Sequence, residues 1–113
     1  MAKGKGARVS LGGGGVTGRV QQLRERLEAV QAALAEETVE ASTGGGAVRV
    51  RMNGMQECRG VEIDPKLLVD ADAQMLQDLI VLGVNQALRE SREMADQRLG
   101  PLAAELGGMG LGR

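Results

Sequence analysis

An α+β fold is predicted, with the elements in the order helix, three-stranded antiparallel meander, helix. Three patterns predict it. Val48, Val50 and Met52 alternate with Arg49 and Arg51, the period of two expected of a sheet with one buried and one wet face. Val16, Val20, Leu23, Leu27, Val30 and Leu34 recur at spacings of 4, 3, 4, 3 and 4, a narrow a/d seam on one helix. Met75 to Val84 is apolar around most of a helical circumference and passes into a charged helical stretch.

The elements follow in chain order. Residues 1–15 are Gly-rich and basic with nothing to bury, so they read as a flexible tail. Gly13-x-Gly15-x-x-Gly18 imitates a dinucleotide fingerprint and Gly13-x-x-x-x-Gly18-Arg19 half imitates a P-loop. Neither follows a strand, Arg19 stands where the P-loop has Lys, and Val20 stands where it has Ser or Thr. The first helix is expected over Thr17 to Glu37, with Thr17 as its N-cap. Thr38 to Thr43 is β-leaning and alternating, and Gly44-Gly45-Gly46 forces a turn after it.

Val48 to Met52 forms the middle strand, and Asn53-Gly54 fits the two positive-φ positions of a type I′ hairpin turn. The third strand rises to Val61-Glu62-Ile63 and stops at Asp64-Pro65, since Pro lacks the N–H that a ladder needs. If Cys58 and Val61 both face inward, a bulge at Arg59-Gly60 is required. Cys58 is the lone cysteine, which excludes an intrachain disulfide and reads as a partly buried strand residue. Arg49, Arg51 and Glu62 share the wet face, the arginines as cross-strand partners of acids.

Lys66-Leu67-Leu68 should make a single turn, and Asp70 or Asp72 should cap the second helix. Gly100-Pro101 should end it. The domain thus spans residues 16–100, with residues 101–113 a second flexible Gly-rich tail. One side of the second helix covers the sheet, and the other is left for another copy of the chain. Leu76, Leu79, Ile80, Gly83, Val84 and Ala87 are the expected dimer contacts, with Gly83 allowing close backbone approach. From Arg89 onward the helix is polar and should project as an arm.

The chain has 113 residues and no Phe, Tyr, Trp or His. A small core built only from aliphatic side chains is marginal, which also points to a homodimer that shares its core. The missing His removes the commonest general base and a principal zinc ligand. No nucleophile stands beside a base and no metal-ligand spacing occurs, so neither an enzyme, a cofactor, a metal nor a small-molecule substrate is indicated. There is no apolar run long enough for a membrane span and no secretory signal, which points to a cytoplasmic protein without a membrane partner.

Net charge is −1, from 14 Lys and Arg against 15 Asp and Glu, so distribution matters more than balance. Lys3, Lys5, Arg8, Arg19, Arg24 and Arg26 crowd the first 26 residues with Glu25 as the one acid, whereas residues 29–43 hold only acids.

Val48-Arg49-Val50, Asn53-Gly54, Cys58-Arg59, Val61-Glu62-Ile63-Asp64-Pro65, Leu67-Leu68, Met75-Leu76-Gln77-Asp78-Leu79-Ile80 and Asn85-Gln86-Ala87 together resemble the YbaB/EbfC family of nucleoid-associated proteins. The likeness covers roughly Arg24 to Leu99. It implies an intertwined α-β-β-β-α homodimer with helical arms projecting like tweezers. It also implies binding to double-stranded DNA, with roles in nucleoid organisation and gene regulation. Two departures stand out: the first helix carries Arg, Glu, Leu and Val where the family is often rich in Lys, Gln and Met, and the Gly-rich tail is longer. Our candidate DNA contacts are Lys3, Lys5 and Arg8 on the tail, Arg19, Arg24 and Arg26 on the first helix, and Arg89, Arg92 and Arg98 on the arm. Contacts of this kind go mostly to phosphate and are salt-sensitive. The competing reading is a dimeric adaptor that binds another protein without touching DNA.

Overall fold

A computed structural model describes residues 14–69 and 72–108. Helix α1 (Gly14–Glu36) leads into strands β1 (Thr38–Thr43), β2 (Val48–Asn53) and β3 (Cys58–Ile63). A 3₁₀ turn (Pro65–Leu68) and helix α2 (Ala73–Gly108) complete the chain. The sheet is antiparallel throughout, in the order β1-β2-β3. The predicted α-β-β-β-α order is the observed one.

Alternation along β2 sorts its side chains between the two faces. Val48, Val50 and Met52 are buried with Ala41 of β1 and Ala87 of α2, while Arg49 and Arg51 are exposed. Leu76, Leu79, Ile80, Val84 and Leu88 of α2 close over this core. Gly44, Gly45 and Gly46 all have positive φ, the left-handed conformation that glycine adopts without a Cβ penalty. On the wet face Arg49 pairs with Glu62 at 2.9 Å and Glu40 at 3.5 Å, the cross-strand role expected of it, whereas Arg51, expected to do the same, makes no ion pair among the described residues because Glu40 is taken by Arg49. The bulge is also present: Arg51 faces Gly60 but Met52 faces Cys58, leaving Arg59 without an opposite number.

Several expectations need correction. Asn53-Gly54 does not form a type I′ turn. The loop spans four residues, and its one non-glycine positive φ is at Gln56. Asn53, fully buried, holds the loop instead. Its N–H donates to Glu57 O (2.9 Å), and its Oδ1 accepts from the N–H groups of Met55 (3.0 Å) and Glu57 (2.9 Å). Gly54 serves α1: its N–H donates to Leu34 O (2.8 Å) and Glu37 O (3.1 Å), satisfying carbonyls at the helix end.

Helix α1 starts at Gly14, so Thr17 lies inside its first turns and is not the cap. At the start of α2 Asp72 is the cap, its carboxylate accepting from Gln74 N (3.0 Å) and Met75 N (3.2 Å); Asp70 lies outside the described residues.

Helix α2 does not stop at Gly100-Pro101 but runs through Pro101 to Gly108. An interior Pro costs about 3 kcal/mol. Burial of Leu102 (8 % exposed) with Leu99 and Leu106 against α1 offsets this, at roughly 1.5–3 kcal/mol for each fully buried aliphatic side chain. The folded part therefore passes residue 100. Of the two expected tails, residues 1–13 and 109–113 lie outside the described residues.

Cys58 is exposed, because β3 is an edge strand and α2 packs over β1 and β2. Gly83 and Ala87 face the chain's own sheet rather than a partner. A Cβ on Gly83 would lie 2.9 Å from Val50 Cγ2, and Ala87 is fully buried in the core. The large apolar side chains of α2 that stay exposed are Met75, Val81 and Leu82, with Val61 on β3.

Candidate nucleic-acid interface

The molecule measures 71 × 33 × 16 Å, because α1 and the last turns of α2 run beyond the sheet as an antiparallel pair. Val20, Leu23 and Leu27 of α1 meet Leu99, Leu102 and Leu106 of α2 along this arm. Its root is built by polar contacts. Asn53 Nδ2 donates to Ala35 O (2.9 Å) and to Glu57 Oε1 (2.8 Å). Buried Ser91 of α2 donates through Oγ to Asn53 O (2.6 Å) and accepts from Gln56 Nε2 (2.9 Å). One loop thus ties both helices of the arm to the sheet.

The basic residues expected to form the interface divide three ways. Lys3, Lys5 and Arg8 lie outside the described residues. Arg26 and Arg98 are engaged within the arm: Arg26 pairs with Glu105, and Arg98 makes a two-pronged pair with Glu37. Arg19, Arg24, Arg89 and Arg92 are exposed and make no ion pair among the described residues. Arg89 and Arg92 stand on the side of α2 turned away from the sheet, since Gly83, Ala87 and Ser91 mark the opposite side. The engagement of Arg26 and Arg98 was not legible in the sequence, because Glu105 and Glu37 are 79 and 61 residues away from their partners.

Two further arginines belong to the surface and were not among the candidates. Arg59, released by the bulge, donates to Ala35 O at the end of α1 (3.3 Å). Arg51 lies over the bare backbone of Gly60, where an added Cβ would come within 2.8 Å of its Nη2. The signal for both was the Arg59-Gly60 break in the alternation.

The hydrogen bond from Arg98 holds the Glu37 carboxyl below the usual carboxylate range, and Glu37 raises Arg98 in turn. A depressed carboxyl contributes stability above its unfolded-state value, and that contribution is lost as pH falls through the folded-state value. Acid should therefore loosen the α1 end of the arm. Protection of the α1 amides, corrected for the intrinsic exchange rate, should fall on acidification through and below the usual carboxylate range in the native chain, and less so in Glu37→Gln, which lacks the titrating group. Both side chains are well exposed, so the effect is small.

Comparison with known proteins bears on what such an arm does. The model of the YbaB/EbfC DNA-binding family matches residues 12–106, which include every described strand and nearly all of both helices. The chain belongs to the YbaB/EbfC family. Curated relatives agree. A nucleoid-associated protein of Syntrophobacter fumaroxidans is 46% identical over 93 residues, covering 82% of this chain and 84% of that protein. One from Mycolicibacterium vanbaalenii is 44% identical over 93 residues, with 82% and 84% coverage. One from Chloroflexus aurantiacus is 38% identical over 89 residues, with 79% and 89% coverage. In fold, this YbaB/EbfC chain is similar to the crystal structure of an uncharacterized Helicobacter pylori protein. The TM-score is 0.66 at 19% identity, over 78% of this chain and 92% of that one. No described helix of this family member is long and apolar enough to cross a membrane.

Proposed function

We propose that this chain binds double-stranded DNA as a homodimer, through contacts that go mainly to phosphate, and acts on the nucleoid in the cytoplasm to organise it and to influence gene expression. Membership of a DNA-binding family is the observation that carries this reading. The exposed arginines without carboxylate partners among the described residues, Arg19, Arg24, Arg89 and Arg92 among them, support it. Phosphate contact needs only accessible cations and imposes no base pattern. With no aromatic side chain to stack on bases, duplex backbone suits this chain better than unpaired strands. The N-terminal lysines and Arg8 would add charge beside the start of α1, where the helix end itself favours anions.

The homodimer is supported by apolar surface left uncovered on one chain. Val61 is 43% exposed on an edge strand, and Met75, Val81 and Leu82 are exposed on α2. Leu76, Leu79, Ile80 and Val84 are half-buried over the core and can contribute their remaining surface. Two chains paired here would bury this surface and hold two sets of cations at fixed spacing.

Replacement of Arg19, Arg24, Arg89 and Arg92 by Ala should weaken binding to a mixed-sequence duplex on the order of a hundredfold near physiological salt. Light scattering on the same samples should give the mass of a dimer or a multiple of it for both proteins. Unchanged affinity in the fourfold variant would assign binding elsewhere. Native chain that binds a protein partner but no duplex would favour the adaptor.

A further inference from the structure

Among the described residues, the arm is a pair of helices with an unfilled apolar side. A cleft of about 330 Å³ opens between α1 and α2, floored by Leu23 and Leu102 and walled by Val20, Leu27, Leu99 and Leu106. Arg24 is its one charged lining residue. Among the described residues, the aliphatic side chains of the two helices leave this cleft open. The common stable arrangement for such a layer is a second helical layer, which makes four helices about one core.

The charges beside the cleft indicate which layer fits. Arg24 and Glu28 lie four residues apart on α1 and therefore on neighbouring positions of one helix face. Both are exposed, and neither is in an ion pair among the described residues. Arg26 and Glu105, by contrast, neutralise each other on the other flank of the arm. A positive and a negative charge at this spacing are self-complementary. When a second α1 lies antiparallel across a two-fold axis between them, each Arg24 meets the partner copy's Glu28, and the reverse.

We propose that the arm cleft is a self-association surface. Two copies of the chain lay their arms together antiparallel, cleft to cleft, as a four-helix bundle flanked by two Arg24–Glu28 pairs. This contact is separate from the exposed apolar surface of the sheet and the first half of α2. It would link one sheet-paired assembly to the next; in this contact Arg24 is taken by the facing Glu28, so phosphate contacts in the linked assembly fall to Arg19, Arg89 and Arg92. It needs nothing from the DNA reading and is tested without DNA.

The test is charge exchange on the full chain, followed by sedimentation velocity over a concentration series at low salt. Arg24→Glu and Glu28→Arg each place like charges across the axis. Either substitution should weaken the concentration-dependent larger species on the order of tenfold. The double variant Arg24→Glu/Glu28→Arg restores complementarity and should recover the native profile. A mixture of the two single variants should associate where each alone does not. Both positions are exposed on a helix, so the fold should survive, and circular dichroism verifies that. The proposal is overturned if all the variants sediment like the native chain, or if neither the double variant nor the mixture restores what the single variants lose.

Discussion

Gly54→Ala should cost this domain about 2 kcal/mol or more and undock α1 from the sheet. The reason is space, not backbone conformation, because Gly54 does not have positive φ. A Cβ there would stand 2.6 Å from Leu34 Cδ2 and 3.0 Å from both Leu34 Cβ and the Leu34 carbonyl oxygen. The Cδ2 methyl could swing away if there were room, but Leu34 is fully buried. The carbonyl is part of the helix and accepts the Gly54 N–H. Relief therefore requires moving α1 as a body, and overpacking of this kind typically costs 1–3 kcal/mol. A melting temperature lower by on the order of 10 °C, with amide protection in α1 lost first, is the expected readout. Gly18→Ala, within α1 itself, is the control for a glycine with room for a side chain. Nothing lies within 4 Å of its added Cβ, so helix propensity alone should make it stabilising by up to about 1 kcal/mol.

Asn53→Ala is expected to cost about 3 kcal/mol. Its carboxamide makes four hydrogen bonds in a fully buried site: two accepted by Oδ1 within the loop, and two donated by Nδ2 to Ala35 O and Glu57 Oε1. Removing it leaves the N–H groups of Met55 and Glu57 without that acceptor and weakens the anchor of α1. A fully buried group so stranded costs about 1–3 kcal/mol, and these part-buried ones fall toward the lower end. Asn53→Asp separates the two halves of the role. A carboxylate can still accept from the loop, but it faces the Ala35 carbonyl and the Glu57 carboxylate where Nδ2 donated. The Asp variant should keep the loop and lose the arm. Chemical denaturation compares total stability, and hydrogen exchange resolved by segment distinguishes the two effects.

These positions also mark where the sequence is legible and where it is not. The buried face of β2 could be read directly, because Val48, Val50 and Met52 carry the period of the pleat. So could the Gly44–Gly46 turn, the bulge at Arg59-Gly60 and the seam of α1. Each of these depends on neighbours in the chain. The roles of Asn53 and Gly54 depend instead on Leu34, Ala35 and Glu37, which reach them only after the chain has doubled back. The same dipeptide serves equally well as a hairpin turn or as a cradle for a helix end. Pro101 could not be read for a similar reason. Its local preference is to end α2, and the burial of Leu102 and Leu106 against α1 overrides that preference.

The candidate interface was legible as a cluster of cations on the first quarter of the chain and a mixed-charge arm. Which of those cations are free depends on distant carboxylates: Glu105 takes Arg26 and Glu37 takes Arg98. DNA itself is a chemistry that composition did not require. It entered through the residues that match the family, most of which lie on the sheet and the start of α2, away from the cations that would touch a duplex.

The most direct test of the central claim is the salt dependence of binding to a mixed-sequence duplex by the native chain and by the variant with Arg19, Arg24, Arg89 and Arg92 changed to Ala. Each phosphate neutralised contributes about −0.9 to the slope of log affinity against log salt concentration. The native chain should bind at low salt with a steep negative slope, and the variant should bind more weakly with a shallower one. No duplex binding by the native chain at low salt, or the same slope in both proteins, would contradict the account.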